Sequence, residues 1–332
     1  MLRAALIGLG WWGQTLLRLL RGNPAITLVA ATDIDRALAE RLAAATGMRA
    51  AANYDAVLRD AQVDAVLLCT PHSAHCEQVV RAAQTGKHVF CEKPLALSRE
   101  DAVRAVAACE EHRVVLGIGH ERRFEPPILE LRRIFDSGAL GNALQIEANF
   151  SQDKFLSLAA DNWRLSGKEA PAGPLTATGI HLLDLAVSLL GPADHVYASV
   201  RQLGSQLVNG DSLAILAQFR SGAAALVSAM LATPFEGRFA LYGSQGWAEV
   251  RDKSHPEAPG GWTLTVCERG RPRVVREFPP APAVLANLEA FARAAAGGAP
   301  YPVPQQQMID NIALLEATAA SARSGQIARV AG

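Results

Sequence analysis

The feature that most constrains this chain stands at its start: an apolar run over residues 2–7 that ends in Gly8-x-Gly10-x-x-Gly13. Run, glycines and the residues after them read as a strand, a tight turn and the first turn of a helix. In a βαβ unit that binds a dinucleotide, the first glycine makes the turn, the second lets a pyrophosphate reach the backbone, and the third lets helix pack on strand. The phosphates then rest on amides at the positive end of the helix dipole. Trp11 and Trp12, inside the turn, are expected to pack there or to border the bound cofactor. An amphipathic segment, residues 15–21, breaks at Gly22-Asn23-Pro24, and a second apolar run, residues 26–32, closes on Asp33. Asp33 lies 20 residues past Gly13, where a carboxylate accepts hydrogen bonds from ribose hydroxyls and repels a 2′-phosphate. NAD is therefore expected over NADP, with Arg36 the residue that a 2′-phosphate would meet if the turn rearranged. Capping of the helix that starts near Asp35 is a second role compatible with the first.

Strand and helix patterns keep alternating. Helices are expected over residues 36–46, 74–85 and 99–112, and strands over 64–69, 87–91 and 114–118. That alternation implies a doubly wound parallel sheet, an α/β Rossmann domain over residues 1–120, whose ligands bind at the carboxyl ends of the strands. Three strand ends carry chemistry: Thr70-Pro71-His72, Glu92-Lys93-Pro94 and Gly119-His120-Glu121-Arg122-Arg123. From residue 121 the pattern changes to a run of alternating strands bracketed by helices over 128–135, 180–190, 284–296 and 305–324. An α+β domain with an open, mostly antiparallel sheet is expected over 121–332, with room for the closing helices to pack back toward the first domain.

With 32 basic and 32 acidic residues the chain has no electrostatic footprint for nucleic acid or an anionic membrane, which leaves a small molecule as the expected partner. The five cysteines form no C-x-x-C pair and read as reduced and buried. Neither a signal peptide nor a membrane span is recognisable at the N-terminus, so a cytoplasmic protein is expected. No spacing of His, Cys or Asp suggests a metal.

Four motifs in order, Gly8-Leu-Gly10-Trp-Trp-Gly13, Thr70-Pro71-His72-Ser-Ala-His75, Glu92-Lys93-Pro94-Leu and Gly179-Ile-His181-Leu-Leu-Asp184, resemble the Gfo/Idh/MocA oxidoreductases over nearly the whole chain. The resemblance implies dehydrogenation of a sugar, polyol or related cyclic alcohol with a nicotinamide cofactor, and a homodimer or homotetramer through the second domain's sheet. It makes Lys93 the lysine between cofactor and substrate. A lysine at a buried strand end beside a cationic ring loses solvation and meets a like charge, which favours the neutral amine and suits it to exchange a proton. The resemblance also places the acid/base histidine at His181. His181 and Asp184, three apart on a helix, share a face.

The match departs at one position: many family members carry an aspartate four residues before this histidine, and this chain has Ala177, between Thr176 and Thr178. Lys93 and His181 are then the expected proton-transfer pair, acting on an altered substrate. Thr70, Pro71, His75 and Glu92 are expected on the cofactor with Gly8, Gly10, Gly13 and Asp33. His120, Arg122, Trp163, Arg164, Thr178 and Asp184 are expected on the substrate with Lys93 and His181. Two other readings remain open at this point: glycoside cleavage that recycles NAD through oxidation and elimination, and a cofactor-binding sensor without catalysis.

Overall fold

The computed structural model describes residues 1–332. β1 (Leu2–Ile7) runs into the glycine turn and α1 (Trp11–Leu19), then β2 (Ile26–Thr32), α2 (Arg36–Thr46), β3 (Arg49–Ala50) and α3 (Tyr54–Leu58) follow. β4 (Ala65–Leu68), α4 (His75–Gln84), β5 (His88–Cys91), α5 (Arg99–Glu111) and β6 (Leu116–Ile118) complete the alternation. After it come α6 (Pro126–Asp136), β7 (Ala143–Ser151), α7 (Ile180–Leu190), β8 (Ala193–Arg201), β9 (Ser212–Phe219), β10 (Ala224–Met230) and β11 (Glu236–Gly243). β12 (Gly246–Asp252), β13 (Trp262–Glu268), β14 (Val274–Phe278), α8 (Ala283–Ala295), α9 (Gln305–Ser324) and β15 (Ala328–Arg329) close the chain.

The first six strands pair in parallel in the order β3-β2-β1-β4-β5-β6. Every residue of β4 is buried, as a strand covered by helices on both faces requires. Helices begin where the sequence supplies a cap: the side chains of Asp35, Asn53 and Ser98 accept the amides of Leu38, Ala56 and Asp101. The remaining nine strands form a second sheet, β14-β13-β12-β11-β7-β10-β9-β8-β15, antiparallel except where β7 lies beside β10.

Contacts divide the chain into two compact units, residues 1–120 with 284–309, and residues 121–283 with 310–332. α8 and the segment after it group with the first unit. Phe291 of α8 packs edge-on against Phe90 of β5 at 5.6 Å. Gly117 of β6 makes room for that pair, since a Cβ there would stand 2.8 Å from the Phe90 ring and 2.9 Å from Phe291. Asn287 Nδ2 donates to the Ile118 carbonyl at 2.9 Å, and Tyr301 donates to Asn287 Oδ1 at 2.6 Å. Such contacts between residues far apart in sequence leave no local pattern.

All five cysteines are free thiols, with Cys69 and Cys267 half-buried rather than buried as expected. No helix is long and apolar enough to cross a membrane. No group of three or more His, Cys, Asp or Glu side chains is placed to hold a metal ion.

Candidate active site

In the first unit the strand order brings the carboxyl ends of β2, β1, β4 and β5 side by side, and with them most of the residues singled out above. Gly8 has φ +90°, and a Cβ on it would stand 2.7 Å from the Cys69 carbonyl oxygen at the end of β4. A Cβ on Gly13 would lie 2.1 Å from the Gly8 carbonyl oxygen, so α1 packs on β1 only because both positions are glycine. Gly10 differs: a Cβ there would meet nothing within 4 Å. It is also the N-cap of α1, which no side chain caps and which has no acidic residue in its first turn. An unfilled space over an uncapped helix N-terminus is what a pyrophosphate needs, so these residues fit a dinucleotide. Trp11 is exposed at this turn, whereas Trp12 packs partly into the core beneath it.

Asp33 Oδ2 accepts the Leu9 amide at 2.5 Å and Oδ1 accepts the Asp35 amide at 2.9 Å. The carboxylate is thereby tied to the glycine turn, and a carboxylate's acceptor capacity extends beyond these two bonds. Asp35, not Asp33, caps α2. Thr70 turns its hydroxyl to Gln78 Oε1 at 2.6 Å, and Pro71 is exposed beside it. His75 is fully buried, with Nδ1 2.7 Å from the Pro94 carbonyl oxygen and Nε2 3.0 Å from that of Thr70. His75 thus joins the turn after β4 to the turn that carries Lys93. Glu92 is buried and accepts the Lys93 amide at 3.3 Å, while Lys93 itself is half-buried. Gly119 lets Glu92 lie close to β6, because a Cβ there would stand 2.4 Å from Glu92 Oε2. His120, expected on the substrate, is 2% exposed and closes this unit with its amide on Ile118.

In the second unit His181 stands in the first turn of α7, 4% exposed, directly after a π-helical turn, Leu175–Gly179. Its Nδ1 lies 3.7 Å from Glu121 Oε2. At that separation the two groups are within ion-pair range but make no hydrogen bond to each other. Glu121 was within the strand-end segment inspected in the sequence, but nothing there distinguishes it from its charged neighbours. Phe150, at the end of β7, sets its ring centroid 6.1 Å from that of His181.

Three expected substrate residues are buried and bonded to other parts of the protein. Asp184 is 1% exposed and bound by Arg123, Nε to Oδ2 at 2.6 Å and Nη2 to Oδ1 at 2.7 Å. Thr178 is 1% exposed and donates its hydroxyl to the Pro174 carbonyl at 3.4 Å. Arg122 is 1% exposed, donates to Asp252 Oδ2 at 2.7 Å and lies over the Phe150 ring at 5.2 Å. Trp163 and Arg164 are half-buried and stack on each other, the guanidinium carbon 4.2 Å from the indole centroid.

Behind Phe150 the chain hides two groups with displaced proton affinities. His255 Nδ1 accepts from Lys154 Nζ at 3.0 Å and from the Glu257 amide at 3.2 Å, so its hydrogen is on Nε2 and points to Gln152 Oε1 at 2.7 Å. Burial, with Lys154 and Arg122 nearby, pushes that imidazole down to about 3, which keeps it neutral. Glu125, fully buried between Arg122 and Asp252, is pushed up to about 8 by burial, which outweighs the attraction of Arg122. Two carboxylates beside one guanidinium in a dry site do not both ionise readily. Folding thus raises the proton affinity of Glu125, and the stability it contributes is full below the ordinary carboxylate range and is lost as pH rises toward about 8. Glu125→Gln is expected to flatten the fall in melting temperature between pH 5 and pH 8, a difference on the order of a few kcal/mol at the upper end. Equal slopes for variant and parent would show that Glu125 is ionised throughout.

A parallel six-stranded sheet with a glycine turn on β1, in one chain with a nine-stranded open sheet, defines a Rossmann-type dinucleotide-binding fold with an added sheet domain. Residues 2–120 match the model of the oxidoreductase family with an NAD-binding Rossmann fold, and residues 128–249 match the GFO/IDH/MocA C-terminal domain. The chain belongs to the Gfo/Idh/MocA oxidoreductase family. It is 31% identical over 251 residues to inositol 2-dehydrogenase of Rhizobium meliloti (strain 1021), covering 74% of each chain. To scyllo-inositol 2-dehydrogenase (NAD(+)) of Bacillus subtilis (strain 168) it is 30% identical over 254 residues, 74% of this chain and 72% of that one. The structure of an aldose-aldose oxidoreductase from Caulobacter crescentus complexed with glycerol superposes with a TM-score of 0.86 at 25% identity, covering 99% of both chains. The chain spans less of other curated relatives, 39% and 60% of the length of two uncharacterised oxidoreductases.

Proposed function

We propose that this chain moves hydride between NAD and a secondary hydroxyl of a sugar, polyol or cyclic diol, with Lys93 and His181 as proton-transfer groups. The observation that carries this reading is Lys93 on the turn after β5, in the same unit and next but one in the sheet to the open glycine turn of β1. The family and the inositol dehydrogenases among its relatives support the substrate class. Bound NAD supplies the hydride acceptor. Lys93 holds the reacting hydroxyl, and the proton leaving that oxygen as the carbinol becomes a carbonyl passes to Lys93 or to His181. Asp33 on the ribose selects NAD over NADP. Ala177 means that the reaction proceeds without an aspartate four residues before the histidine.

The working form in this proposal is a cytoplasmic homodimer or homotetramer joined through the outer face of the large sheet. Tyr197, Leu216 and Leu226 stand in one cross-strand row there, 43%, 48% and 42% exposed. An apolar row of this kind favours a partner.

The test is a titration of purified protein with NADH and NADPH, followed by turnover with inositols, aldoses and cyclic diols in both directions. Tighter binding of NADH and net conversion of NAD are expected. Absence of binding by either cofactor sinks the proposal. Release of an aglycone with no net NADH shifts the reaction to oxidation and elimination, and binding without any turnover shifts the protein to a sensor.

A further inference from the structure

The stretch that carries His181 reaches solvent at one position. Over residues 173–187 every residue is buried except Ala177, which is half-buried and stands four residues before His181. Apolar side chains surround part of it: Ala177 packs with Phe155 and Leu158, also half-buried, on a cluster whose buried members are Leu165, Leu207 and Leu231. The neighbouring hydroxyls do not change that character. Thr176 and Thr178 are 2% and 1% exposed and turn back to the carbonyls of Gly173 and Pro174, at 3.3 and 3.4 Å. The ring beside His181, Phe150, is apolar as well and meets Phe235 edge-on at 6.3 Å.

A substrate hydroxyl pressed against Ala177, Phe155 and Leu158 gives up water and gains no hydrogen bond from those three side chains, whereas a methyl, methylene or aryl group gains by leaving water. We propose that Ala177, Phe155 and Leu158 form an apolar subsite beside His181, and that the substrate presents a deoxygenated, alkyl or aryl substituent to it. The inference rests on the proposed role of His181 and narrows the substrate class: a deoxy sugar, an aryl glycoside or a sparsely hydroxylated cyclic diol rather than a fully hydroxylated polyol. Apolar pockets reject an added hydroxyl only modestly, by roughly 10- to 100-fold, and that sets the scale of the effect.

The experiment compares matched pairs: D-galactose with D-fucose, methyl with phenyl β-D-glucopyranoside, and myo-inositol with cis-1,2-cyclohexanediol. For each, kcat/KM with NAD is measured, and binding to the NADH-loaded protein is read by calorimetry. The expected result is a preference of about 10-fold or more for the second member of at least one pair, reversed by Ala177→Asp and abolished by Phe155→Asn, which leaves α7 untouched. A preference under about fivefold in every pair, or an Ala177→Asp variant that is folded by circular dichroism yet weakens both members equally, overturns it. Ranked binding without turnover of any compound sinks the dehydrogenase assignment and leaves the subsite standing. Turnover without ranking does the reverse, and neither binding nor turnover removes both.

Discussion

Lys93→Met is expected to lower kcat by about 10³-fold while the dissociation constant of NADH stays within about threefold of the parent. Methionine nearly preserves the length and volume of the lysine stem and removes only the group that exchanges a proton. The turn has contacts that do not involve the lysine side chain: the Lys93 amide donates to Glu92 Oε2, and the Pro94 carbonyl lies 2.7 Å from His75 Nδ1. Both contacts use main-chain atoms and survive the substitution. Of the residues proposed to meet the cofactor, Gly8, Gly10 and Asp33 follow the ends of β1 and β2, and Gly13 lies in α1. A lysine that only decorated the surface would leave kcat unchanged, since exposed charges contribute little. Steady-state kinetics with a fluorescence titration of NADH separates the outcomes. A variant that loses kcat and cofactor binding together would mean that Lys93 builds the turn; unchanged kcat would remove it from the chemistry.

What the sequence disclosed and what it withheld follow from the range of the interactions involved. Gly8, Gly10 and Gly13 were legible because the close approach of Gly13 to Gly8 is made within one turn, and so is the bond from Asp35 to the Leu38 amide. The place of Lys93 just past a strand was legible because the end of a buried strand is marked by its own apolar run, whereas its role came only from the resemblance. The two adjacent arginines were not separable. Arg122 meets Asp252, 130 residues away, and Arg123 meets Asp184, 61 residues away, and no local pattern says which guanidinium turns which way. Asp184 does lie on a face near His181 as its spacing predicts, but spacing cannot tell a face that looks into a cleft from one that looks into a neighbouring segment. The π-helical turn before α7 was equally hidden, because its residues, Leu175–Gly179, carry nothing that distinguishes it from an ordinary helix start or a loop. Glu121 gained its meaning only from His181, 3.7 Å away in space.

Arg123→Leu is expected to cost about 3–5 kcal/mol, the usual penalty for leaving one member of a buried ion pair without its partner. Asp184 is 1% exposed and receives two parallel hydrogen bonds from the guanidinium, whose Nη2 also reaches the Asp184 carbonyl at 3.3 Å. Without Arg123 the carboxylate must ionise in a dry environment or take up a proton. Against a total stability of about 5–15 kcal/mol for a domain, that loss is large. The exposed pair of Arg36 and Glu40, whose side chains are 76% and 56% accessible, provides the contrast: Arg36→Leu should cost under about 0.5 kcal/mol. Replacing both partners, Arg123→Leu with Asp184→Leu, should recover most of the stability, because apolar groups of similar size suit the site better than one stranded charge. Denaturant unfolding of the single and double variants measures this, and a cost below about 1 kcal/mol for the single change would mean that water reaches Asp184. Kinetics on the double variant then decides what Asp184 is for. If the pair only holds α7, and with it His181, recovered stability brings recovered kcat. If Asp184 touched the substrate, the double variant would be stable and slow.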